Sequence, residues 1–380
     1  MNKCPHFDDC GGCVHHLDDY VAASKSKQQK LIKEIGRFGF VEPMITMENP
    51  FGYRQKAVAS FGYKNNKIFS GFYARNSRRL VEINHCAIEN PVASKIIKSV
   101  TNIVNQLKFT VYNEQKDRGF LRHIMVRTSV RYKEVMVILV GAEPFKLSRK
   151  IFVKRLRERH PEITTIIFNY NPRQTSYVLG KQDEVLFGPG FIFEGLFDKK
   201  FKLSPQSFFQ VNPPMMEQLL TKAFDLVKIS KQDVVVDAYS GTGVIGIIAS
   251  DYSDQVFAVE GNPSAVRDSI NNARYNKSSM TTIQKDATEA LVEMAQAKER
   301  VDVVIMDPSR EGSTEAFLDA LNQLLPDRIL YISCYPPSLS RDLDYLLKKD
   351  QYKVDHLIPV DMFPFTDHVE CVTLMLRAEI

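Results

Sequence analysis

Two styles of hydrophobic patterning divide the chain near residue 200. Before it, apolar residues come in short runs. Tyr53 to Ile88 reads as short strands built around Gly–aromatic pairs, Phe61-Gly62-Tyr63 and Gly71-Phe72-Tyr73. Pro91–Leu107 has helical spacing. Arg122–Gly141 alternates and then turns wholly apolar from Val135 to Val140, which predicts paired strands. Lys146–Arg159 reads as a basic helix, followed by strands at Ile163–Asn169 and Ser176–Phe187 around a turn at Asn171-Pro172. Ahead of these, Tyr20–Phe38 reads as a helix with sparse apolar positions. Lys25, Lys27, Lys30 and Lys33 predict that it is solvated.

After Ser204, strand-length apolar runs alternate with amphipathic helical stretches. Strands are expected at Val234–Asp237, Val256–Glu260, Val301–Met306 and Ile329–Ser333. Helices are expected at Val244–Ser250, Pro263–Asn276, Thr314–Leu325 and Pro337–Lys348. Two closing strands follow, at Tyr352–Val360 and Val369–Arg377. Such alternation with apolar strands predicts an α/β domain whose mainly parallel sheet is covered on both faces. A chain of 380 residues exceeds what one core usually serves. The expected division is 1–90, 91–200 and 201–380.

Charge sharpens this division. The formal net charge is only +5, but residues 1–200 hold 33 Lys and Arg against 19 Asp and Glu, or +14. Residues 201–380 hold 17 against 26, or −9, and residues 51–160 alone hold 23 against 7, or +16. A basic front half suits a polyanionic partner. No apolar run approaches the ~18–20 residues that span a bilayer. The N-terminus lacks the apolar region of a signal peptide, so a cytoplasmic protein without membrane contact is expected.

Asp237-Ala-Tyr239-Ser-Gly241-Thr-Gly243 follows the first strand of the second half and opens a helix. Glycines there let the backbone turn tightly against a ligand at the carboxyl edge of the sheet. Glu260, at the end of the next strand, suits a ribose diol. NAD and S-adenosylmethionine (SAM) both fit such a site. The incomplete Gly-x-Gly-x-x-Gly triplet and the strand-end Asp favour SAM. Asp307-Pro-Ser-Arg310 ends a further strand; its Arg in fourth position argues against an exocyclic amino group as the target.

Cys334 ends the next strand at the same edge, and Glu370 opens the last one, otherwise apolar. A helix starting near residue 338 would favour the Cys334 thiolate. A cysteine, a carboxylate and SAM together suit one reaction. Carbon 5 of uracil is too weak a nucleophile to accept a methyl group directly. Thiolate addition at C6 makes C5 nucleophilic, and a base must then remove the C5 proton so that the thiol can leave.

With these motifs in place, the chain resembles the RNA uracil-C5 methyltransferase family over nearly its whole length. Gly119-Phe-Leu-Arg122-His123 and Ser204-Pro-Gln-Ser-Phe-Phe-Gln210-Val-Asn212 resemble family segments. The resemblance implies a Rossmann-like SAM-dependent methyltransferase domain beside a small α+β RNA-binding domain. It implies Cys334 as nucleophile and Glu370 as base. It implies Gln210, Tyr239, Gly241, Gly243, Glu260 and Asp307 around SAM. The chain departs from the family at Tyr335, usually Asn, at Ser309, usually Pro or Ala, and at Ser240, often Cys.

Cys4, Cys10, Cys13 and Cys86 suit either tetrahedral zinc or an iron–sulfur cluster by spacing alone. They fall where rRNA-modifying members bind a 4Fe–4S cluster, which the resemblance therefore implies, in a structural role. With Cys4 so near Met1, the N-terminal β-barrel of larger rRNA members is not expected. The layout resembles the compact members acting on 23S rRNA, and a monomer is expected. Arg54, Lys56, Lys64, Lys67, Arg75, Arg78 and Arg79 interleave with Tyr53, Phe61, Tyr63, Phe72 and Tyr73, a pattern suited to looped RNA. The target uracil would be flipped from its stack. Two alternatives stay open: methylation of the tRNA T-loop, and a non-catalytic RNA-binding iron–sulfur protein.

Overall fold

The computed structural model describes residues 4–146, 148–175 and 177–378. The chain forms two units. The first takes residues up to 18, 49–195 and 202–206; the second takes 19–48, 196–201 and 207 onward.

The first helix, α1 (Tyr20–Ile35), belongs to the second unit. The first unit then runs β1 (Lys56–Lys64), β2 (Lys67–Tyr73), β3 (Leu80–Glu82), α2 (Pro91–Gln106), β4 (Leu121–Thr128), β5 (Val135–Gly141), α3 (Arg149–Arg159), β6 (Ile163–Tyr170) and β7 (Gln182–Phe187). Its seven strands lie in the order β3-β2-β1-β4-β5-β6-β7. Only β5 and β6 are parallel, with α3 as their crossover. Ile96, Val100 and Ile103 of α2 and Phe152 and Leu156 of α3 pack on Leu121, Ile124 and Leu139 of the sheet. The Gly–aromatic pairs have a packing reason. Gly62 faces Phe69 across the β1–β2 ladder, and a Cβ on Gly62 would sit 2.4 Å from that ring.

A hairpin, β8 (Ile192–Leu196) and β9 (Lys199–Leu203), follows. The second unit continues with α4 (Pro213–Val227), β10 (Val234–Ala238), α5 (Val244–Ala249), β11 (Gln255–Glu260), α6 (Pro263–Tyr275), β12 (Thr281–Gln284), α7 (Ala287–Gln296), β13 (Val303–Met306), α8 (Glu315–Leu324), β14 (Arg328–Ser333), α9 (Pro336–Leu347), β15 (Tyr352–Val360) and β16 (Glu370–Arg377). The strand order is β12-β11-β10-β13-β14-β16-β15. The first five strands are parallel, and β16 inserts antiparallel between β14 and β15. This is a Rossmann-like doubly wound sheet.

The solvated reading of α1 needs correction. Ala23, Lys27, Leu31 and Ile35 form a buried stripe at i, i+4 spacing, and Leu31 and Ile35 join the core of this unit. Lys27 is 1% exposed. Its ammonium pairs with Asp361, 0% exposed, at 2.6 Å, and donates to the carbonyls of Phe363 at 2.8 Å and His368 at 2.9 Å. One lysine of the four is therefore structural, with every ammonium hydrogen used. Among the described residues, no helix is long and apolar enough to cross a membrane.

Candidate active site

The sheet register draws the predicted residues into one row. Ala238 pairs with Val259 on one side and with Met306 on the other, so Tyr239, Glu260 and Asp307 stand level just past the carboxyl ends of β10, β11 and β13. Met306 pairs with Tyr331, which carries the row to the end of β14. The last pair between β14 and β16 is Ser333 with Cys371. The ladder ends there, with Cys334 the residue directly after β14 and Glu370 the first of β16, close enough for the carboxyl to act on the thiol. The carboxyl edge is where open α/β sheets bind ligands.

On the β10–β11 side the backbone forms a cradle. Tyr239, at φ +62°, sits in the left-handed region, a strained conformation for an aromatic residue. Gly241 also has positive φ, and a Cβ built on it would meet nothing within 4 Å, so open space lies above the loop. Gly243 is required for packing instead, since a Cβ there would fall 2.6 Å from the Ser269 hydroxyl. Glu260 accepts from the backbone N–H of Gly241 at 2.9 Å and of Asn262 at 2.6 Å. Each oxygen retains a lone pair for a ligand hydroxyl. Asp237 accepts from the Gly246 N–H at 2.8 Å and holds the start of α5. Thr242 donates to the Phe208 carbonyl at 3.3 Å, which brings the segment containing Gln210 against this loop. The Tyr239 hydroxyl is engaged with Ser313 at 2.8 Å, and its ring lies 5.4 Å from that of Phe317.

The row is rich in carboxyls held out of water. Burial pushes Asp237 up to about 8 and Asp307 up to about 7. Burial, with Asp307 adding, pushes Glu370 up to about 8. Glu370 is 1% exposed, and its Oε2 has no hydrogen-bond partner among the described residues. A buried carboxyl oxygen without a partner is costly unless a ligand completes it. A sulfonium cation and a ribose diol are what an open glycine cradle flanked by these carboxyls would accommodate, so the residues fit SAM.

Burial pushes the Cys334 thiol up to about 12, Glu370 and Asp307 push it in the same direction, and Arg310 and a backbone hydrogen bond oppose them. The Arg310 guanidinium lies 4.9 Å from the centre of the Tyr335 ring. A cavity of about 230 Å³ opens beside Cys334, lined in part by Arg310, Tyr335, Pro336 and His368. Asp342 is structural, accepting from the Tyr331 hydroxyl at 2.7 Å and the Ser313 N–H at 2.8 Å.

In the first unit, Cys4, Cys10, Cys13 and Cys86 are free thiols that line one cavity of about 330 Å³. The N-terminal segment is tied down there. Gly11 donates to the Tyr73 carbonyl at 3.0 Å, Arg75 to the Cys13 carbonyl at 2.7 Å, and Arg79 pairs with Asp9 at 2.7 Å. The Gly12 N–H points at the Cys10 sulfur at 3.3 Å. Burial raises Cys13 to about 11 and Cys86 to about 12, with neighbouring thiols or Glu89 adding. Among the described residues, no three or more His, Cys, Asp or Glu side chains are grouped so as to hold a metal ion. Of the aromatics predicted to meet RNA, Tyr53 and Phe61 are core, whereas Tyr63 and Tyr73 are exposed.

Residues 183–378 match the model of the tRNA (uracil-5-)-methyltransferase family, just over half of the chain. An uncharacterized RNA methyltransferase of Halalkalibacterium halodurans is 33% identical over 378 residues, covering 98% of this chain and 82% of its own length. One from Clostridium tetani is 35% identical, covering 98% and 82%. Among solved structures, the Pyrococcus abyssi tRNA (uracil-54, C5)-methyltransferase in complex with S-adenosyl-L-homocysteine aligns with a TM-score of 0.77 at 24% identity, covering 94% of this chain and 84% of that one. That likeness shows the fold. The protein belongs to the RNA uracil-5 methyltransferase family and is a SAM-dependent RNA methyltransferase.

Proposed function

We propose that the enzyme methylates uracil C5 in 23S rRNA, with Cys334 as nucleophile and Glu370 as base. The observation that carries this reading is the buried Glu370, whose Oε2 has no partner among the described residues, at the start of the strand paired with the one that ends just before Cys334. Cys334 sulfur bonds to uracil C6, and the electrons of the C5–C6 double bond move to C5 and O4. SAM, when bound, would supply the methyl group that C5 takes, its S–CH3 bond breaking with the electron pair left on sulfur as S-adenosylhomocysteine. Glu370 removes the C5 proton, the double bond re-forms, and the thiolate leaves. Gln210, Tyr239, Gly241, Gly243, Glu260 and Asp307 hold the cofactor.

Both reacting groups are protonated in the resting site at neutral pH, because burial raises Glu370 to about 8 and Cys334 to about 12. The active form therefore needs protons removed. Proton removal follows methyl transfer, so Glu370 acts on kcat: kcat is expected to rise with pH through about 8 as Glu370 ionises, and to go on rising above it as the Cys334 thiol does, read from steady-state rates of methyl transfer. A kcat that falls through pH 8 would exclude Glu370 as the base.

The assignment to rRNA is supported by the four cysteines, which resemble those of rRNA-modifying members. Mass-spectrometric mapping of rRNA and tRNA from a deletion strain tests it. A methyl group missing from 23S rRNA is expected, and one missing from the tRNA T-loop instead would move the assignment to tRNA. We assign RNA contact and the cysteine segment to the first unit and catalysis to the second, in place of the expected boundary at residue 90, across which β1 and β4 pair in one sheet, and with residues 19–48 in the catalytic unit. Lys64 and Lys67, beside the exposed Tyr63, would meet phosphates as a base stacks.

Cys4, Cys10, Cys13 and Cys86 would hold a 4Fe–4S cluster in a structural role. The four thiols line one shared cavity, and the resemblance to rRNA-modifying members favours a cluster over zinc. Protein purified without oxygen is expected to be brown, with broad absorption near ~400 nm. Colourless protein containing zinc would reverse this assignment.

A further inference from the structure

The buried ammonium of Lys27 has no place in the proposed chemistry, yet it is spent on the segment that delivers Glu370. Its three bonds go to Asp361, Phe363 and His368, all within the nine residues between β15 and β16. They grip that segment at its start, near its start and two residues before Glu370. Other contacts reinforce the same segment. Asn212 donates to the Met362 carbonyl at 2.9 Å. The Tyr20 ring, about two α1 turns before Lys27, lies 5.4 Å from that of Phe365, and Phe365 itself is fully buried at φ +65°. A residue other than glycine in that conformation is held there by its surroundings.

The Glu370 side chain has no such hold at Oε2, which has no partner among the described residues; its backbone pairs with Val360 of β15, but as the first residue of β16 it takes its approach from the segment that precedes it. We propose that Lys27 is a positioning residue: by clamping residues 361–369 from α1, it holds the Glu370 carboxylate against the uracil C5 proton. The proposal rests on the reading of Glu370 as the base.

A clamp of this kind makes a specific error when it is lost. Addition of Cys334 and methylation of C5 precede the use of Glu370, so both proceed. Proton removal then slows, and the enzyme stalls while covalently joined to methylated RNA. A lysine that merely stabilised the fold would lower all steps together and leave no such species.

The test uses the full chain with Lys27→Met and, because that change strands the Asp361 charge, the double variant Lys27→Met with Asp361→Leu. Both are incubated with SAM and total RNA from cells lacking the gene. After nuclease and trypsin digestion, the Cys334 peptide is examined by mass spectrometry for an attached methylated uridine nucleotide. Turnover is expected to fall about tenfold or more, with kcat/KM for RNA within about twofold because the earlier steps proceed, and the adduct is expected to rise well above wild type. Full turnover without adduct in a folded variant overturns the proposal. So does a loss of turnover with no adduct. If both variants fail to fold, Lys27→Gln, which keeps two amide hydrogens for the clamp, must show partial turnover with less adduct than Glu370→Gln; turnover lost without adduct again overturns it. The reference is wild-type enzyme on total RNA from cells grown with 5-fluorouracil, whose C5 carries no removable proton. Adduct there, with none in the variants on ordinary RNA, overturns the clamp alone. No adduct there overturns the Cys334 mechanism and the clamp with it.

Discussion

Cys334→Ala is expected to abolish methyl transfer, by at least about 10⁴-fold, as loss of a covalent nucleophile does in other enzymes. The reason lies in the substrate. Uracil C5 carries too little electron density to take a methyl group, and only a bond at C6 supplies it. No other cysteine can substitute. Cys371 is the nearest in sequence, but it is fully buried behind the β14–β16 ladder. The loss is not a folding effect, because Cys334 is only partly buried and Ala removes a single atom of a small side chain. The check is incorporation of labelled methyl groups into rRNA transcripts, alongside SAM binding by calorimetry. Binding should persist while incorporation falls to background. Methylation near the wild-type rate would refute nucleophilic catalysis by this residue.

Glu370→Gln is expected to separate the steps. Gln keeps the volume and loses the base, so each protein molecule should methylate once and then remain attached to its RNA. Steady-state turnover should fall by about 10²- to 10⁴-fold, the usual contribution of a general base. The adduct should survive denaturation and appear as a retarded band on a gel. Stability should hold or rise slightly. The wild-type carboxyl is buried, with its ionised form disfavoured, and a neutral amide does not carry that penalty. If turnover stays near wild type with no adduct, Asp307 is the next carboxyl in the row to carry the proton.

Much of this site was legible before any coordinates. Strand ends in an α/β sheet are ligand positions, so a Cys and a Glu at two of them already pointed to chemistry. The pairing of the two was not legible, because nothing in the local pattern says that β16 runs antiparallel between β14 and β15. Elements without an apolar run were missed. Strand β12 reads Thr-Thr-Ile-Gln and lies at the sheet edge, where one face of packing suffices. Helix α7 was missed although Asp286 caps it by accepting from Thr288 and Glu289. Helix α4 was missed although Pro213 opens it after Asn212.

Lys27 is the instructive error. Four lysines in one helix suggested solvent, and charge alone cannot show which of them faces inward. The signal was positional: Lys27 falls between Ala23 and Leu31 on the i, i+4 stripe that continues to Ile35. Its partner lies 334 residues away, beyond the reach of any local pattern. For Cys334, a helix start is visible in a sequence, whereas the carboxyls that raise its thiol come from the end of β13 and from β16 and are not local.

The pairing of β14 with β16 has a consequence for how this chemistry could be adjusted. Residues facing each other across antiparallel strands stand about 4.5–5.5 Å apart at their Cα atoms, a spacing set by the backbone and not by side chains. If the nucleophile and the base are held on that ruler, their separation cannot drift by small degrees. It changes by whole bonds, as when Glu370 is shortened to Asp, or by whole residues, when a strand slips and turns its side chain to the opposite face. Variation in target choice would then fall on the walls of the cavity, at positions such as Tyr335, while the spacing of the reacting pair stays constant.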